Sequence, residues 1–188
     1  ATQWDIDLSY SFKDNARFRV NVYKQQGVLG IAFRLIPNHI RSLEELGLPG
    51  ILQKFTERKQ GLVLIVGPTG HGKTTALASM INEINNTRAE HILTIEDPVE
   101  FVFSPKQSVI SQREVNMDTP SFSQALKAAL REDINVVSVG EIRDLESISA
   151  ALTLAETGHL IFATLHTNDA AQSIDRVVDV FPGDQQSQ

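Results

Sequence analysis

The sequence predicts an α/β fold in which a small antiparallel sheet precedes a larger parallel sheet covered by helices. Two observations lead to this prediction. In segment 1–37, apolar and polar side chains alternate with a period of two, which is typical of half-buried strands. From Gly61 onward, continuous apolar runs alternate with helical patterns, which is typical of parallel strands joined by crossover helices.

Segment 1–37 is predicted to contain three antiparallel strands. Their sequences are DIDLSYSF, ARFRVNVY and IAFRLI, with turns at Lys13-Asp14-Asn15 and at Gln25-Gln26-Gly27. Because three strands cannot bury both faces of a sheet, we expect this segment to be the C-terminal part of a larger sheet domain.

Segment 38–60 is predicted to link this sheet to the next domain. Ser42 is a suitable N-cap for a short helix, Pro49-Gly50 interrupts it, and a longer helix is expected to follow.

Segment 61–188 is predicted to be one domain of alternating strands and helices. The predicted strands are GLVLIV, HILTI, INVVSVG and HLIFATL. The predicted helices are Lys73 to Asn85, TPSFSQALKAALR with Thr119 as N-cap and Pro120 at its first position, LESISAALTLAETG ending at Gly158, and a last helix after Asn168-Asp169.

The composition is that of an ordinary globular protein. The chain has 188 residues, 41% of them hydrophobic and 21% charged, with a net charge of -6 and no cysteine. The negative charge gives no reason to expect direct nucleic-acid binding, and the lack of cysteine excludes disulfides and thiolate metal sites from this sequence. No apolar run approaches the ~18 residues of a transmembrane helix, so none is expected. The start without methionine and the end at FPGDQQSQ favour a fragment.

The segment Gly67 to Thr75, GPTGHGKTT, fits the phosphate-loop pattern G-x-x-x-x-G-K-[ST] between a strand and a helix. Backbone amides of such a loop curve around phosphate oxygens, and the helix N-terminus favours the anion. The expected nucleotide is ATP. Its predicted ligands are Gly67, Pro68, Thr69, Gly70, His71, Gly72, Lys73, Thr74 and Thr75, with His71 acting through its backbone and Thr74 also joining the Mg²⁺ shell.

Two acidic positions are expected beside this loop. Glu96 and Asp97 follow HILTI, where a parallel strand ends at the ligand-binding edge of the sheet. Glu141 follows the strand VVSV, at the place where many nucleotide-binding enzymes have a magnesium-binding aspartate. A glutamate reaches one methylene further, which suits the orientation of an attacking water, so Glu141 is the predicted catalytic residue.

The two histidines of GHLIFATLHT are predicted to have different roles. His166 lies at the carboxyl end of its strand, where it could contact the γ-phosphate directly or through Glu141. His159 lies at the opposite end, more than ~20 Å away, so a shared metal is not expected. Arg17, Arg19 and Arg34 are either solvated strand residues or arginines donated to the nucleotide across a domain boundary.

The stretches GPTGHGKTT, HILTIEDPVEF, LREDINVVSVGEIRD and TGHLIFATLHT, in this order, resemble the secretion ATPase superfamily, and within it the type IV pilus retraction ATPases. The resemblance implies a RecA-like P-loop ATPase domain preceded by a PAS-like domain. It implies Glu141 as the catalytic glutamate, Glu96 as an active-site carboxylate, and arginines of the PAS-like domain on the nucleotide. It also implies a cytoplasmic homo-hexamer, peripheral to the inner membrane at the pilus base, that works with the pilus inner-membrane platform protein.

The sequence departs from the family pattern at three places. His71 stands where the resemblance implies a small hydroxyl residue, LREDIN stands where it implies LREDPD at 130–135, and the helical C-terminal domain that it implies is expected to lie outside these 188 residues. The alternatives within the superfamily are pilus-extension and type II secretion ATPases. Outside it, a small P-loop kinase and a nucleotide-binding module without turnover remain open.

Overall fold

The computed structural model describes residues 5–13, 16–37, 39–167, 169–183 and 186. In these ranges, one sheet is antiparallel, with its three strands in chain order, and the other is parallel with five strands. The strand order across the parallel sheet is Gly61–Val66, Leu160–Leu165, Val136–Val139, His91–Glu96 and Val109–Glu114. The predicted α/β class is therefore confirmed. Asp14 and Asn15 of the first predicted turn, and Asn38 and Asn168, lie outside the described residues.

The antiparallel sheet consists of β1 (Asp5–Phe12), β2 (Ala16–Gln25) and β3 (Val28–Ile36). Its register places Leu8 beside Val20 and Val20 beside Phe33, so the apolar residues share one face, as the alternation predicts. Most of that apolar face is exposed. Tyr10 is 47% and Phe33 60% exposed, whereas the polar face lies against the parallel-sheet domain.

The parallel sheet contains the four predicted strands and one more. The predicted ones are β4 (Gly61–Val66), β5 (His91–Glu96), β7 (Val136–Val139) and β8 (Leu160–Leu165). The sequence analysis missed the edge strand β6 (Val109–Glu114), which pairs with β5 from His91–Val109 to Glu96–Glu114. Its sequence, VISQRE, has neither an apolar run nor strict alternation, because an edge strand has less to bury.

The helices are α1 (Ile51–Thr56), α2 (Lys73–Thr87), α3 (Phe122–Ala129), α4 (Leu145–Glu156) and α5 (Ala170–Asp179). Helix α4 ends just before Gly158, which has a φ of 106°, and α5 follows Asp169, both as predicted. The Asp169 side chain caps α5 by accepting the Gln172 N–H.

Two helix predictions were wrong. The short helix expected after Ser42 is only a turn, although Ser42 and Glu45 do form a reciprocal capping pair, and α1 is only six residues long. Helix α3 begins after Ser121 rather than Thr119, because the Ser121 hydroxyl accepts the Gln124 N–H while Thr119 forms a β-bridge with Val115.

Each face of the parallel sheet is covered by its own hydrophobic cluster. Helix α2 packs on one face through Leu77, Met80, Ile81 and Ile84, all buried as predicted. Helices α3 and α4 cover the other face. Successive residues of β8 pack on opposite faces of the sheet. Phe162 belongs to the cluster under α2, and Ile161 belongs to the cluster under α3 and α4. Burial on both faces explains why these strands read as continuous apolar runs.

Among the helices in the described ranges, none is both long and apolar enough to cross a membrane.

The buried cluster under α4 sets the stability of the domain. Leu154 is fully buried, so Leu154→Ala should lower the free energy of unfolding by about 2–5 kcal/mol through lost burial and a cavity. The matched control is Leu29→Ala, because Leu29 is 74% exposed and its loss should change stability by less than about 0.5 kcal/mol. Chemical denaturation measures both. Equal effects would contradict this packing.

Candidate active site

The carboxyl ends of β4, β5, β7 and β8 meet at one edge of the parallel sheet and border a cleft of about 530 Å³. The phosphate loop, the end of β5 and the end of β7 all contribute to it. The charged residues lining the cleft are Lys73, Arg19, Arg34, Arg143, Glu96, Asp97, Glu100 and Glu141, joined by His166. The structure thus brings together most of the residues that the sequence singled out.

The phosphate loop leads from β4 directly into α2. Gly72 is the N-cap of α2 and has a φ of 84°, a left-handed conformation that glycine adopts without a steric cost. Lys73 begins the helix with its side chain folded back, and its Nζ donates to the carbonyls of Gly67 at 2.8 Å and Pro68 at 3.0 Å. The loop is therefore already curved around the lysine. Of the predicted loop ligands, Thr69, Gly70, Gly72, Lys73, Thr74 and Thr75 line the cleft.

Three predicted loop residues do not line the cleft with their neighbours. Gly67 and Pro68 contribute carbonyl oxygens to Lys73. His71 is exposed, and its Nδ1 lies 3.1 Å from the carbonyl oxygen of Thr69. This position agrees with a backbone role for His71.

Glu141 lies just beyond β7 and faces the phosphate loop. Its side chain is 16% exposed, and Oε1 accepts a hydrogen bond from the Arg143 guanidinium. Oε2 is buried and has no hydrogen-bond partner among the described residues. The His166 Nε2 atom lies 3.6 Å from Oε2. A buried carboxylate oxygen without a donor is costly, so this atom needs a partner that the described residues do not supply.

His166 connects Glu141 to the phosphate loop. Its Nδ1 lies 3.3 Å from Thr69 Oγ1 and 3.4 Å from Lys73 Nζ, while its other ring nitrogen faces Glu141. The His166 imidazole therefore contacts both the phosphate loop and Glu141. His159, at the far end of β8, places Nδ1 3.0 Å from the carbonyl oxygen of Leu154, which is a structural role.

Glu96 ends β5 in a buried network. Its carboxylate accepts hydrogen bonds from Thr94 Oγ1 at 2.8 Å, from Gln112 Nε2 at 3.2 Å and from the backbone N–H of Glu100 at 3.2 Å. Burial raises the pKa of Glu96 above its ordinary value, and the three hydrogen bonds oppose this effect. Glu96 therefore resists ionisation more than an exposed glutamate does.

The three candidate arginines separate into two groups. Arg19 and Arg34, paired across β2 and β3, line the cleft, and Arg19 Nη1 lies 3.9 Å from Glu100 Oε1. Arg17 does not line it. Its Nη2 lies 3.5 Å from Glu114 Oε2, at a separate cavity. A role for any of these arginines on a nucleotide stays a prediction.

The departure from the family pattern at 134–135 leaves the strand before Glu141 in register. Ile134 is buried, and the Asn135 side chain accepts the His91 N–H at 2.8 Å. The Asn135 backbone donates to His91 O and accepts from Leu160 N, both at 3.0 Å. Asn135 thus extends the ladder on both sides, and Glu141 stays at the cleft.

The sequence analysis did not single out Arg143 and Gln112. Arg143 follows Glu141 by two residues and lines the cleft, and its hydrogen bond to Glu141 raises the Arg143 pKa. The two-residue spacing between Glu141 and Arg143 is visible in the sequence, and it could have identified Arg143 as a partner of Glu141. Gln112 lies on the missed strand β6, so nothing in the sequence connected it with Glu96.

A family model for type II/IV secretion system proteins matches residues 6–183. The chain belongs to the type II/IV secretion system protein family. Because this match includes β1 to β3 as well as the parallel sheet, the family assignment applies to both sheets.

Two curated relatives of the chain are named for pilus retraction and for twitching motility. It is 52% identical over 183 residues to the type IV pilus retraction ATPase PilT of Pseudomonas aeruginosa, covering 97% of this chain and 53% of that protein. It is 55% identical over 178 residues to a twitching motility protein of Neisseria gonorrhoeae, covering 95% and 48%.

A crystal structure of the pilus retraction motor PilT with bound ADP matches with a TM-score of 0.96 at 52% identity. The match covers 99% of this chain and 54% of that one. It confirms the predicted fold class, a RecA-like α/β domain preceded by a PAS-like antiparallel sheet. The chain spans about half the length of these relatives.

The raised pKa of Glu96 predicts a pH-dependent stability. The folded carboxyl binds its proton above its ordinary value of 4.5, so its favourable contribution is full below pH 4.5 and is lost as pH rises through the folded-state pKa. Glu96→Gln, which carries no charge, should therefore gain stability relative to the unsubstituted protein between pH 4.5 and 7. Denaturation at a series of pH values measures the difference.

Glu146→Gln is the control for this measurement. A hydrogen bond from Lys127 lowers the pKa of the exposed Glu146 below its ordinary value of 4.5. The stabilising effect of this carboxylate is lost only as pH falls below 4.5, so Glu146→Gln should show no pH trend between pH 4.5 and 7 and a trend of opposite sign at lower pH. If the stability difference at Glu96 does not vary with pH, the inferred effect of burial is wrong.

Proposed function

We propose that the full-length protein is an ATP-hydrolysing motor subunit that powers type IV pilus retraction and twitching motility. One observation carries the enzymatic part of this proposal. A phosphate loop and a buried carboxylate oxygen without a hydrogen-bond donor, Glu141 Oε2, face each other across one cleft.

The loop side of the cleft suits the phosphates of ATP. The first amides of α2 point out of the helix N-terminus, and Lys73 is the cation held beside them. Arg19, Arg34 and Arg143 add positive charge on the opposite side. Phosphate oxygens would compete with the Gly67 and Pro68 carbonyls for Lys73 Nζ, and the charge difference favours the phosphates.

The residues of the cleft also fit Mg²⁺ carried in by the nucleotide. No cluster of three or more histidine, aspartate or glutamate side chains suited to a metal occurs in the described part of the chain. Magnesium bound here would rely on the Thr74 hydroxyl, phosphate oxygens and waters, a common arrangement for this ion. When bound, magnesium neutralises charge that develops on the phosphate oxygens.

Glu141 would act on the attacking water. Its free Oε2 accepts a hydrogen bond and then a proton from water, whose oxygen attacks the γ-phosphorus. The bond from the γ-phosphorus to the bridging oxygen breaks, and ADP and inorganic phosphate leave. Arg143 holds the other oxygen, so only Oε2 is available. His166 contacts Glu141, Thr69 and Lys73, and could bind the γ-phosphate from between them.

The relatives support the retraction branch. Two curated relatives that match over nearly the whole chain are named for pilus retraction and twitching motility. The resemblance further suggests a homo-hexameric ring, a cytoplasmic location at the inner-membrane face of the pilus base, and the pilus platform protein as partner. An extension or type II secretion ATPase is the alternative within the family. Restoration of twitching, and not of pilus extension, in a retraction-deficient strain would favour retraction.

Two other classes of protein would differ from an ATPase in the products that they form from ATP. A small P-loop kinase would phosphorylate an acceptor, whereas a binding module would hold ATP without turnover. Full-length protein that releases inorganic phosphate from ATP, with no phosphorylated nucleoside or nucleotide acceptor, would exclude both.

Glu141→Gln tests the catalytic assignment in the full-length protein. The amide cannot accept a proton from water, so kcat should fall by about 10²–10⁴-fold while ATP binding persists. His71→Ala is the control and should retain both hydrolysis and ATP binding, because its side chain is exposed and does not line the cleft. Phosphate release and binding of a fluorescent ATP analogue measure the two properties. Normal steady-state hydrolysis by the Gln variant would refute the assignment.

A further inference from the structure

The antiparallel sheet contacts the parallel-sheet domain through its polar face. Several residues of its apolar face are exposed, including Tyr10, Phe12 and Phe33. Burial of that face therefore does not hold the two sheets together. Two ion pairs connect the polar face to the parallel-sheet domain, Arg17–Glu114 and Arg19–Glu100.

Glu114 is the centre of this contact. Its side chain is 9% exposed, and its Oε2 accepts hydrogen bonds from Ser9 Oγ at 2.8 Å and from Val99 N at 3.0 Å. Arg17 Nη2 lies 3.5 Å from the same oxygen. One buried carboxylate oxygen thus joins β1, β2 and the segment that follows β5.

The segment that Glu114 holds leads directly to the active-site cleft. Asp97, Pro98 and Glu100 line the cleft on either side of Val99. The backbone N–H of Glu100 donates to Glu96, so the segment is fixed by Glu114 at Val99 and by Glu96 at Glu100. Arg19 reaches the same segment from β2, next to Arg17 on the same polar face.

We propose that Glu114 is a positioning residue for ATP hydrolysis. It ties the antiparallel sheet to segment 97–100, and so fixes both Glu96 and the arginines Arg19 and Arg34 relative to the phosphate loop. The proposal rests on the proposed ATPase function. Glu114 itself does not line the cleft, so its effect reaches the nucleotide only through these contacts.

Replacing the Glu114 carboxylate should disturb the positions of the catalytic groups and leave the affinity for nucleotide nearly unchanged. Glu114→Gln keeps the shape but loses the charge that pairs with Arg17, leaving a partly buried arginine uncompensated. Misplacement of catalytic groups by about 1 Å can cost ~10²-fold in rate. In the full-length protein, kcat should fall by roughly 10- to 100-fold with KM changed by less than about twofold.

The structure provides matched controls for each side of the contact. Glu132→Gln removes an arginine–glutamate pair with Arg113, the neighbour of Glu114 on β6, and should leave kcat unchanged. Ser9→Ala should lower kcat several-fold. Ser11→Ala should not, although Ser11 lies two residues further along β1 and borders the same cavity.

Hydrogen exchange gives a readout that does not depend on turnover. In Glu114→Gln, the Val99 amide should exchange faster because a neutral amide oxygen is a weaker acceptor than the carboxylate, while the Leu93 amide inside β5 stays protected. Loss of protection at both amides would indicate general unfolding and would overturn the proposal. So would unchanged exchange at Val99.

The outcomes separate this proposal from the proposed function. Hydrolysis by the unsubstituted protein, with Glu114→Gln equally active, would overturn the positioning role and leave the ATPase function standing. No hydrolysis by the unsubstituted full-length protein would overturn both. A selective fall in kcat with faster exchange at Val99 supports the positioning role.

Discussion

The parallel alignment of β5, β7 and β8 is the constraint on which the candidate site depends. Each of these strands ends at the same edge, and the ladder runs from Ile92 through Val136 to Leu160. The side chains that face the phosphate loop therefore follow strands that are fixed by backbone hydrogen bonds and buried on both faces. A shift of one residue in this register would exchange the two faces and remove Glu141 from the cleft.

The same constraint explains which sequence changes the fold tolerates. Replacement of the family's proline by Ile134 leaves an apolar residue in the core, and Asn135 completes the ladder. His71 is exposed and does not line the cleft, and it belongs to a loop whose function depends on backbone geometry. Both departures preserve what the site requires, namely strand register and loop curvature.

Sequence reasoning predicted the elements whose signals are local. The phosphate loop, the buried strands and the capped helices have patterns that a short window contains, and both Glu96 and Glu141 were found as strand-end carboxylates. It missed β6, because a polar edge strand lacks periodicity. The contacts of Glu114 join positions 105 residues apart in the case of Ser9, and no local pattern encodes such a pairing. The N-cap of α3 was misplaced because a β-bridge to Val115 occupied Thr119.

The most direct test of the account is a structure of the full-length protein with Mg²⁺ and a non-hydrolysable ATP analogue. The account predicts Lys73 Nζ on the phosphates and a water bound to Glu141 Oε2 in line with the γ-phosphorus. Arg143 should remain on the other carboxylate oxygen. A nucleotide bound in the cleft with Glu141 turned away from the γ-phosphate, and another group holding the water, would contradict it.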